Sequence, residues 1–463
     1  MIAAAVLTTL ALVGSDGTPL RAAPADSSSR LAELAAGDAL EVRGERRGFL
    51  QVWDPRRERA GYVRQERVRS YPVTPEVAPE LLSIVRFLRD TPGEEAQGIA
   101  HAALFLLAAP SAAIDAEPFD ALGTMADRLA RRASVGKATP GSLEVAAFHG
   151  VKFASFDRDG RAQVCSEGGA FRHVLSLGGT AEQRARAVLG LTRPECVDPA
   201  LGPAVTARLH AQQATLLRTL EPALLPQWLA ARLHVRSAAL LSVLAWELAR
   251  AGDREGARTA GASSVDELAS VDRKELPEDD AAAHAEAAVR VGASRWARES
   301  DVAPPGALSL ELVAGEEPGQ SCMTIRASTG GELTRRCTFG LVWPASARSS
   351  ADGRTLTVAV QPAPSWRELF LFRATDAGMS LDVLPPAADG PDVGYVEHAG
   401  FSPDGTRLLV AREARSERRF ATSFELVRLD TLQVEKRAGA PEHLTPFFRW
   451  QSADWRSGTI ALR

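Results

Sequence analysis

One short motif, used twice, limits what this chain can fold into more than any bulk property. Ser350-Ala351-Asp352-Gly353-Arg354-Thr355-Leu356 returns 52 residues on as Ser402-Pro403-Asp404-Gly405-Thr406-Arg407-Leu408. A looser copy, Ser452-Ala453-Asp454-Trp455, follows after a further 50 residues and leads into Thr459-Ile460-Ala461-Leu462. The chemistry is that of a tight turn. Asp bonds back to the local backbone, Gly accepts a positive φ, and Pro at 403 fixes its own φ. Strand patterning from about Leu308 to the last residue makes 301–463 a β domain. Each turn is expected to feed a strand, 355–360 and 407–412, of its own antiparallel sheet, with 368–373 and 423–429 as the next long strands. The end of the chain, 459–462, is expected to pair with a strand of the same domain, because an apolar strand left unpaired is a sticky edge.

The rest of the chain divides by pattern. With 463 residues it exceeds the ~250–300 over which a single core grows. A multidomain α+β protein is therefore expected. The first zone, 13–72, reads as short strands separated by turns such as Gly14-Ser15-Asp16-Gly17, Ala36-Gly37-Asp38 and Trp53-Asp54-Pro55. Its parts stand in the order of the bacterial SH3 domain. Leu20-Arg21-Ala22-Ala23-Pro24 is similar to the opening of that family. Gly37 to Val42 and Gly48-Phe49-Leu50-Gln51-Val52 resemble two of its strands, with Phe49 at a family tryptophan, and Gly61-Tyr62-Val63 resembles its Gly-Trp-Val. The resemblance implies a small SH3-like β-barrel over about 10–70. In the tail, Phe401-Ser402-Pro403-Asp404-Gly405 resembles the turn of WD-type and Tol-type β-propeller blades. That resemblance implies propeller-like antiparallel sheets, although the tail holds only about three blades and a closed propeller takes at least ~4.

Between these zones, 73–300 is patterned as helix. Phe119, Leu122, Met125, Ala126 and Leu129 recur at helical spacing. Thr180 with Gln183 forms a capping-box signature, and Gly252 marks a helix end after 238–250. One interruption, 151–174, reads as an inserted β-hairpin around Asp157-Arg158-Asp159-Gly160. Residues 2–13 (IAAAVLTTLALV) have the length of a signal-peptide apolar region but lack a positive flank, so 1–12 is a possible signal remnant. The alternative is that Leu10 to Val13 form the first strand. No run reaches the ~18 apolar residues that suggest a membrane span.

Few residues suggest chemistry. The net charge of −4 gives no argument for nucleic acid, although 41–69 holds nine arginines against five acidic residues. Cys322 and Cys337 flank a hairpin with its tip at Ser328-Thr329-Gly330-Gly331. A turn at 329–330 puts them opposite one another, within disulfide reach. Cys165 ends a strand, and Cys196 lies beyond the capped helix. Two disulfides, Cys165 with Cys196 and Cys322 with Cys337, are expected, and they imply an oxidising compartment. The eight histidines show no metal-ligand spacing, and Asp157 with Gly160 suits a hairpin turn better than a calcium loop. Ser134-Val135-Gly136-Lys137 has a Ser-x-x-Lys spacing without its companion motifs. No catalytic residue, metal ligand or cofactor is assigned.

The aromatic residues of the first zone are the remaining candidates for ligand binding. Side chains alternate along a strand, which turns Leu50 and Val52 inward and Phe49, Gln51 and Trp53 outward. Tyr62 joins them from the next strand. These features give an expectation of a non-enzymatic binding or scaffold protein of the bacterial envelope, periplasmic or secreted. Its SH3-like resemblance implies a peptide, peptidoglycan or envelope-protein ligand, and its propeller-like tail implies protein partners. The alternative is an envelope enzyme whose site is assembled from distant residues of the helical zone.

Overall fold

The computed structural model describes residues 8–158, 160–388, 390, 392–416 and 419–458. Two compact units emerge. The first holds the chain up to Thr206 together with Thr215–Pro226, and the second holds Ala207–Ala214 and everything from Gln227 onward. The helical stretch 73–300 is thus divided between them.

In the first unit, β1 (Thr9–Val13), β2 (Thr18–Arg21), β3 (Arg30–Leu34), β4 (Ala39–Arg46), β5 (Phe49–Asp54), β6 (Arg59–Arg64) and β7 (Val68–Pro72) form one antiparallel sheet. Its order is β3-β2-β6-β5-β4-β1-β7. Among the described residues β3 and β7 remain its two edges, so no closed barrel forms, contrary to the expectation. The sheet still wraps one core, in which Ala11, Val13, Leu20, Leu34, Leu40, Leu50, Val52 and Val63 meet. The helices α1 (Ala78–Arg89) and α2 (Glu95–Ala108) cover the other face of β1, where Leu12 and Tyr71 pack on Leu81, Leu104 and Phe105. Strand β1 is therefore buried on both sides, and this explains its unbroken apolar run. The sheet begins at Thr9 rather than at 13, and residues 1–7 of the possible signal remnant lie outside the described residues.

Polar ties fix the helices to the sheet. Gln97 Nε2 donates to the Val13 carbonyl at 2.8 Å. His101, buried on α2, donates from Nδ1 to the Gln97 carbonyl at 2.8 Å and accepts at Nε2 from the Tyr71 hydroxyl at 3.2 Å. Burial pushes its pKa below the ordinary value, in keeping with this neutral form. Helices α3 (Glu117–Ser134), α4 (Pro140–Phe148), α5 (Gly169–Ser176) and α6 (Ala181–Leu191) complete the unit, and α7 (Pro203–Leu217) contributes to both units. The expected capping box starts α6, with both Thr180–Gln183 bonds made. The inserted hairpin is shorter than expected. Strands β8 (Phe153–Arg158) and β9 (Arg161–Ser166) form it, and Gly168, at φ 73°, then turns the chain into α5. Cys165 and Cys196 are disulfide-bonded, with 5.7 Å between their Cα atoms.

In the second unit, α8 (Gln227–Arg250), α9 (Arg254–Ala269) and α10 (Ala281–Ala293) share a core of Ala231, Val235, Ala238, Leu268 and Val291. By length and composition α8 could cross a membrane, but 56% of its apolar window is buried inside the protein, as in the core helix of a globular domain. A three-stranded sheet follows: β10 (Leu308–Ala314), β11 (Ser321–Ala327) and β12 (Glu332–Thr338). Cys322 and Cys337 are direct register partners there and are disulfide-bonded. The hairpin turns one residue earlier than expected, with Gly330 N donating to Ala327 O, and a bulge at Ile325/Arg326 restores the register.

The two copies of the motif occupy equivalent places. Strands β13 (Leu341–Ser349), β14 (Thr355–Ala363), β15 (Trp366–Thr375) and β16 (Gly378–Leu384) make one antiparallel meander. Strands β17 (Gly394–Phe401), β18 (Arg407–Ser416), β19 (Arg419–Arg428) and β20 (Val434–Ala438) make a second. Contrary to the expectation of separate sheets, a short parallel pairing, Trp366 with Gly394 and Arg367 with Tyr395, joins the meanders into one eight-stranded sheet. Each motif turns its first strand into its second with the same bonds. Ser350 Oγ donates to Asp352 at 2.6 Å and accepts from Thr355 N at 3.0 Å. Ser402 Oγ donates to Asp404 at 2.5 Å and accepts from Arg407 N at 2.9 Å. Gly353 and Gly405 hold φ 66° and 68°.

The looser third copy does not repeat this structure. It opens helix α12 (Ala453–Gly458), which follows α11 (Thr445–Trp450), and Ser452 Oγ caps it by accepting from Trp455 N at 3.1 Å. With Trp455 where the other copies have Gly, no residue suited to positive φ is available for the turn. The expected pairing of 459–462 falls outside the described residues.

Candidate functional site

Two regions gather side chains that sequence reasoning or geometry singles out. The first is the outer face of β4, β5 and β6. Gln51 stands opposite Tyr62, and Trp53 stands between Glu41 and Ala60, so these side chains share one face. Trp53 and Tyr62 are half-buried and Gln51 is exposed. Phe49 has the expected facing but not the expected exposure. It lies on this face, yet it is only 2% exposed, because the Arg64 guanidinium sits 4.4 Å over its ring. Arg64 is held there by a bidentate pair with Asp26. The exposed aromatic surface is therefore Trp53 and Tyr62 without Phe49.

Most of the local arginine excess is consumed internally. Arg56 and Arg57 bind the buried carboxylates of Asp38 and Asp54 at 2.9 to 3.0 Å, and Arg56 also reaches Glu144 on α4. Arg69 pairs with Glu80, and Arg59 donates to the Leu31 carbonyl at 2.7 Å. Arg46, on the strand register opposite Phe49, has none of these ties and stays exposed.

The second region lies inside the C-terminal unit and was not foreseen. Glu397 on β17 is 5% exposed and accepts from Arg295 at 2.9 Å, from Arg367 at 2.8 Å and from Trp455 Nε1 at 3.2 Å. Burial acts to raise the Glu397 pKa, but the two guanidiniums outweigh it and hold the carboxyl below its ordinary range. Burial pushes Arg367 down to about 10, and its Nη1 also caps α10 through the Gly292 and Ala293 carbonyls at 2.8 and 3.0 Å. Tyr395 donates to Glu413 at 2.6 Å, and burial, then Glu413 and Glu397, push its pKa well above the ordinary value. This cluster ties α10, β15, β17 and α12 together. The available sequence signal was Arg367, one of two charged residues in the otherwise apolar stretch 366–372, where a buried charge is tolerated only when it is paired.

Beside Glu397 is a cavity of about 20 Å³, room for one water, bordered by Trp296, Arg348, His398, Asp454 and Trp455. His398 shares a hydrogen bond with Thr357 Oγ1 at 3.1 Å, and burial together with the Arg348 charge pushes its pKa far below the ordinary value. A larger groove of about 340 Å³ lies on the other side of Arg348 and Asp454, with walls from 304–308, Leu310, 347–351 and Leu356.

Other sequence candidates have structural roles. Ser134 Oγ accepts the Val164 amide at 2.9 Å, which occupies the Ser-x-x-Lys serine in fastening α3 to β9. Asp157 Oδ1 accepts from Gly160 N at 3.0 Å, as a hairpin turn requires. Among the described residues no three His, Cys, Asp or Glu side chains gather as a metal site. The four cysteines form the two expected disulfides, which are compatible with an oxidising, extracytoplasmic compartment. Comparisons with protein families, with curated proteins and with solved structures find no match to this chain.

Proposed function

We propose that this is a non-enzymatic binding protein of an extracytoplasmic compartment that presents the outer face of β4 to β6 to a short peptide. One observation carries the reading: Trp53 and Tyr62 are diagonal neighbours on one sheet face and keep part of their surface in water. Aromatic rings of this kind supply large contact area at low entropic cost and concentrate at recognition surfaces. Gly44 and Ala60 leave the same face flat around them, and exposed Arg46 supplies a cation for an acidic ligand group. The bacterial SH3 resemblance supports a peptide or peptidoglycan-stem ligand. Helices α1 and α2 pack against Leu12 and Tyr71, and Trp53 and Tyr62 stay partly exposed.

The test is co-sedimentation with purified peptidoglycan sacculi, together with titration against synthetic stem peptides by tryptophan fluorescence. The native chain is expected to bind, and Trp53→Ala/Tyr62→Ala is expected to lose at least about tenfold in affinity, the scale of a hot-spot truncation. Equal binding by the native chain and the folded double variant would refute the proposed face, as would no binding by either. Free-thiol titration of protein from its native host bears on the compartment, with essentially no reactive thiol expected.

A further inference from the structure

Arg193, in the turn after α6 that also carries Cys196, is 1% exposed. Its guanidinium divides its contacts between carboxylates and sulfur. Nη1 donates to Asp127 Oδ1 at 2.6 Å, and Nε lies 3.3 Å from Glu195. Nη2 is aimed at the disulfide instead, 3.4 Å from Cys165 Sγ and 2.6 Å from Cys196 Sγ. Gln163 Nε2 approaches Cys165 Sγ as well, at 3.7 Å. A disulfide sulfur is a weak acceptor, and a buried charged donor is costly without a strong one. A thiolate at either sulfur is the acceptor that Nη2 lacks. The surrounding charge favours it. Arg131 pairs with Asp127, and Arg158 donates to the Val197 carbonyl at 3.0 Å, so Arg131, Arg158 and Arg193 stand against the carboxylates of Asp127 and Glu195. One further negative charge balances the group.

We propose that Cys165–Cys196 is a redox-active disulfide that takes two electrons from a dithiol, with Arg193 holding the thiolate that forms. Cys196 is half-buried and Cys165 is 3% exposed, so attack falls on Cys196 Sγ. One thiolate of the dithiol bonds to Cys196 Sγ. The Cys165–Cys196 bond breaks, and its electron pair stays on Cys165 as a thiolate beside Arg193 and Gln163. The second thiolate of the dithiol then attacks its own partner sulfur in the mixed disulfide, closes the donor's disulfide and releases Cys196. Of the two protons the dithiol gives up, one goes to Cys196 and the other to water. A single thiol does not complete this sequence, because the Cys165 thiolate stays beside the mixed disulfide and reverses the first step. The resting form is the disulfide. The donor has two sources, a small dithiol or a dithiol carried by a protein.

The experiment equilibrates the full chain with mixtures of reduced and oxidised dithiothreitol at pH 7, alkylates the free thiols and quantifies each cysteine peptide by mass spectrometry. Cys322–Cys337 is the internal reference. Cys165–Cys196 is expected to be half reduced at a reduced-to-oxidised ratio at least about tenfold lower, because a stabilised thiolate favours the reduced form. Thiolate absorbance at about 240 nm should show about one thiolate per reduced chain at about pH 6.5, where ordinary thiols, at about 8.5, are protonated. Arg193→Gln is expected to remove that thiolate and to make the pair about tenfold harder to reduce, whereas Arg193→Lys keeps the charge and the order of reduction. A merely structural role for Arg193 moves the pair the other way, since a loosened turn eases reduction. Reduced thioredoxin, run against dithiothreitol at equal dithiol concentration, separates the sources. Faster reduction by thioredoxin identifies a protein dithiol, and faster reduction by dithiothreitol a small one; both support the site. Reduction of the two disulfides at the same ratio, or of Cys322–Cys337 first, would overturn the proposal. Absence of a thiolate at about pH 6.5 would overturn it too, as would unchanged or easier reduction in Arg193→Gln. The native chain decides the matter even if Arg193→Gln misfolds.

Discussion

Ser350 and Ser402 each work with three groups at once: the hydroxyl donates to the motif aspartate, accepts the amide five residues on, and the main-chain carbonyl takes the glycine amide. Their surroundings differ. Thr355, whose amide Ser350 satisfies, is 4% exposed, whereas Arg407, whose amide Ser402 satisfies, is only half-buried. Ser350→Ala should therefore cost ~1–3 kcal/mol, the penalty for orphaning a buried donor, and Ser402→Ala less, measured by denaturant unfolding. A histidine effect belongs to the same scale. The folded-state pKa values of His101 and His149 are lowered, chiefly by burial. As pH falls through about 6.5, the unfolded chain takes up protons that these folded imidazoles refuse. The stability they contribute is thus present above that pH and lost as pH falls toward their lower folded values. The melting temperature should fall between pH 7.5 and 5.5, and His101→Gln should flatten the slope.

At the scale of elements, alternation along β5 was legible and its outcome was only partly so. Leu50 and Val52 enter the core as the period of two requires. Phe49 was assigned to the open face correctly, but the lid over it comes from Arg64 on the neighbouring strand, and only a known register reveals that contact. Thermal unfolding should accordingly group Phe49→Ala with Leu50→Ala at ~2–5 kcal/mol, and Trp53→Ala should cost less. Strand β1 carries the same lesson in another form. Burial on both faces writes a continuous apolar run, and an export signal writes one too. The repeated turn was legible because its bonds are local, all within six residues of sequence. The Glu397 cluster was not, because Arg295, Arg367, Glu397 and Trp455 meet only after four separate elements have packed.

For the whole molecule, composition indicated several domains but could not show where the helical stretch divides. The split depends on which core each helix joins, and α8 and α10 join a core of their own in the second unit while α1 and α2 join the sheet. Two units with separate cores should unfold as more than one calorimetric transition. Gly405→Val should lower one transition only. It forces a β-branched residue to φ 68° and sets its Cβ 2.9 Å from the Asp352 carboxylate, in the partner turn of the same unit. A shift of both transitions would contradict independent cores.

The double burial of β1 also bears on how the chain could be trimmed. A strand that lies between β4 and β7, with Ala11 and Val13 in one core and Leu12 in another, is an interior wall of the fold. A peptidase cut within 9–13 would open two hydrophobic layers at once. Any maturation of this N-terminus that leaves a functional protein must therefore cleave before Thr9, which turns an ambiguous apolar run into a boundary for processing.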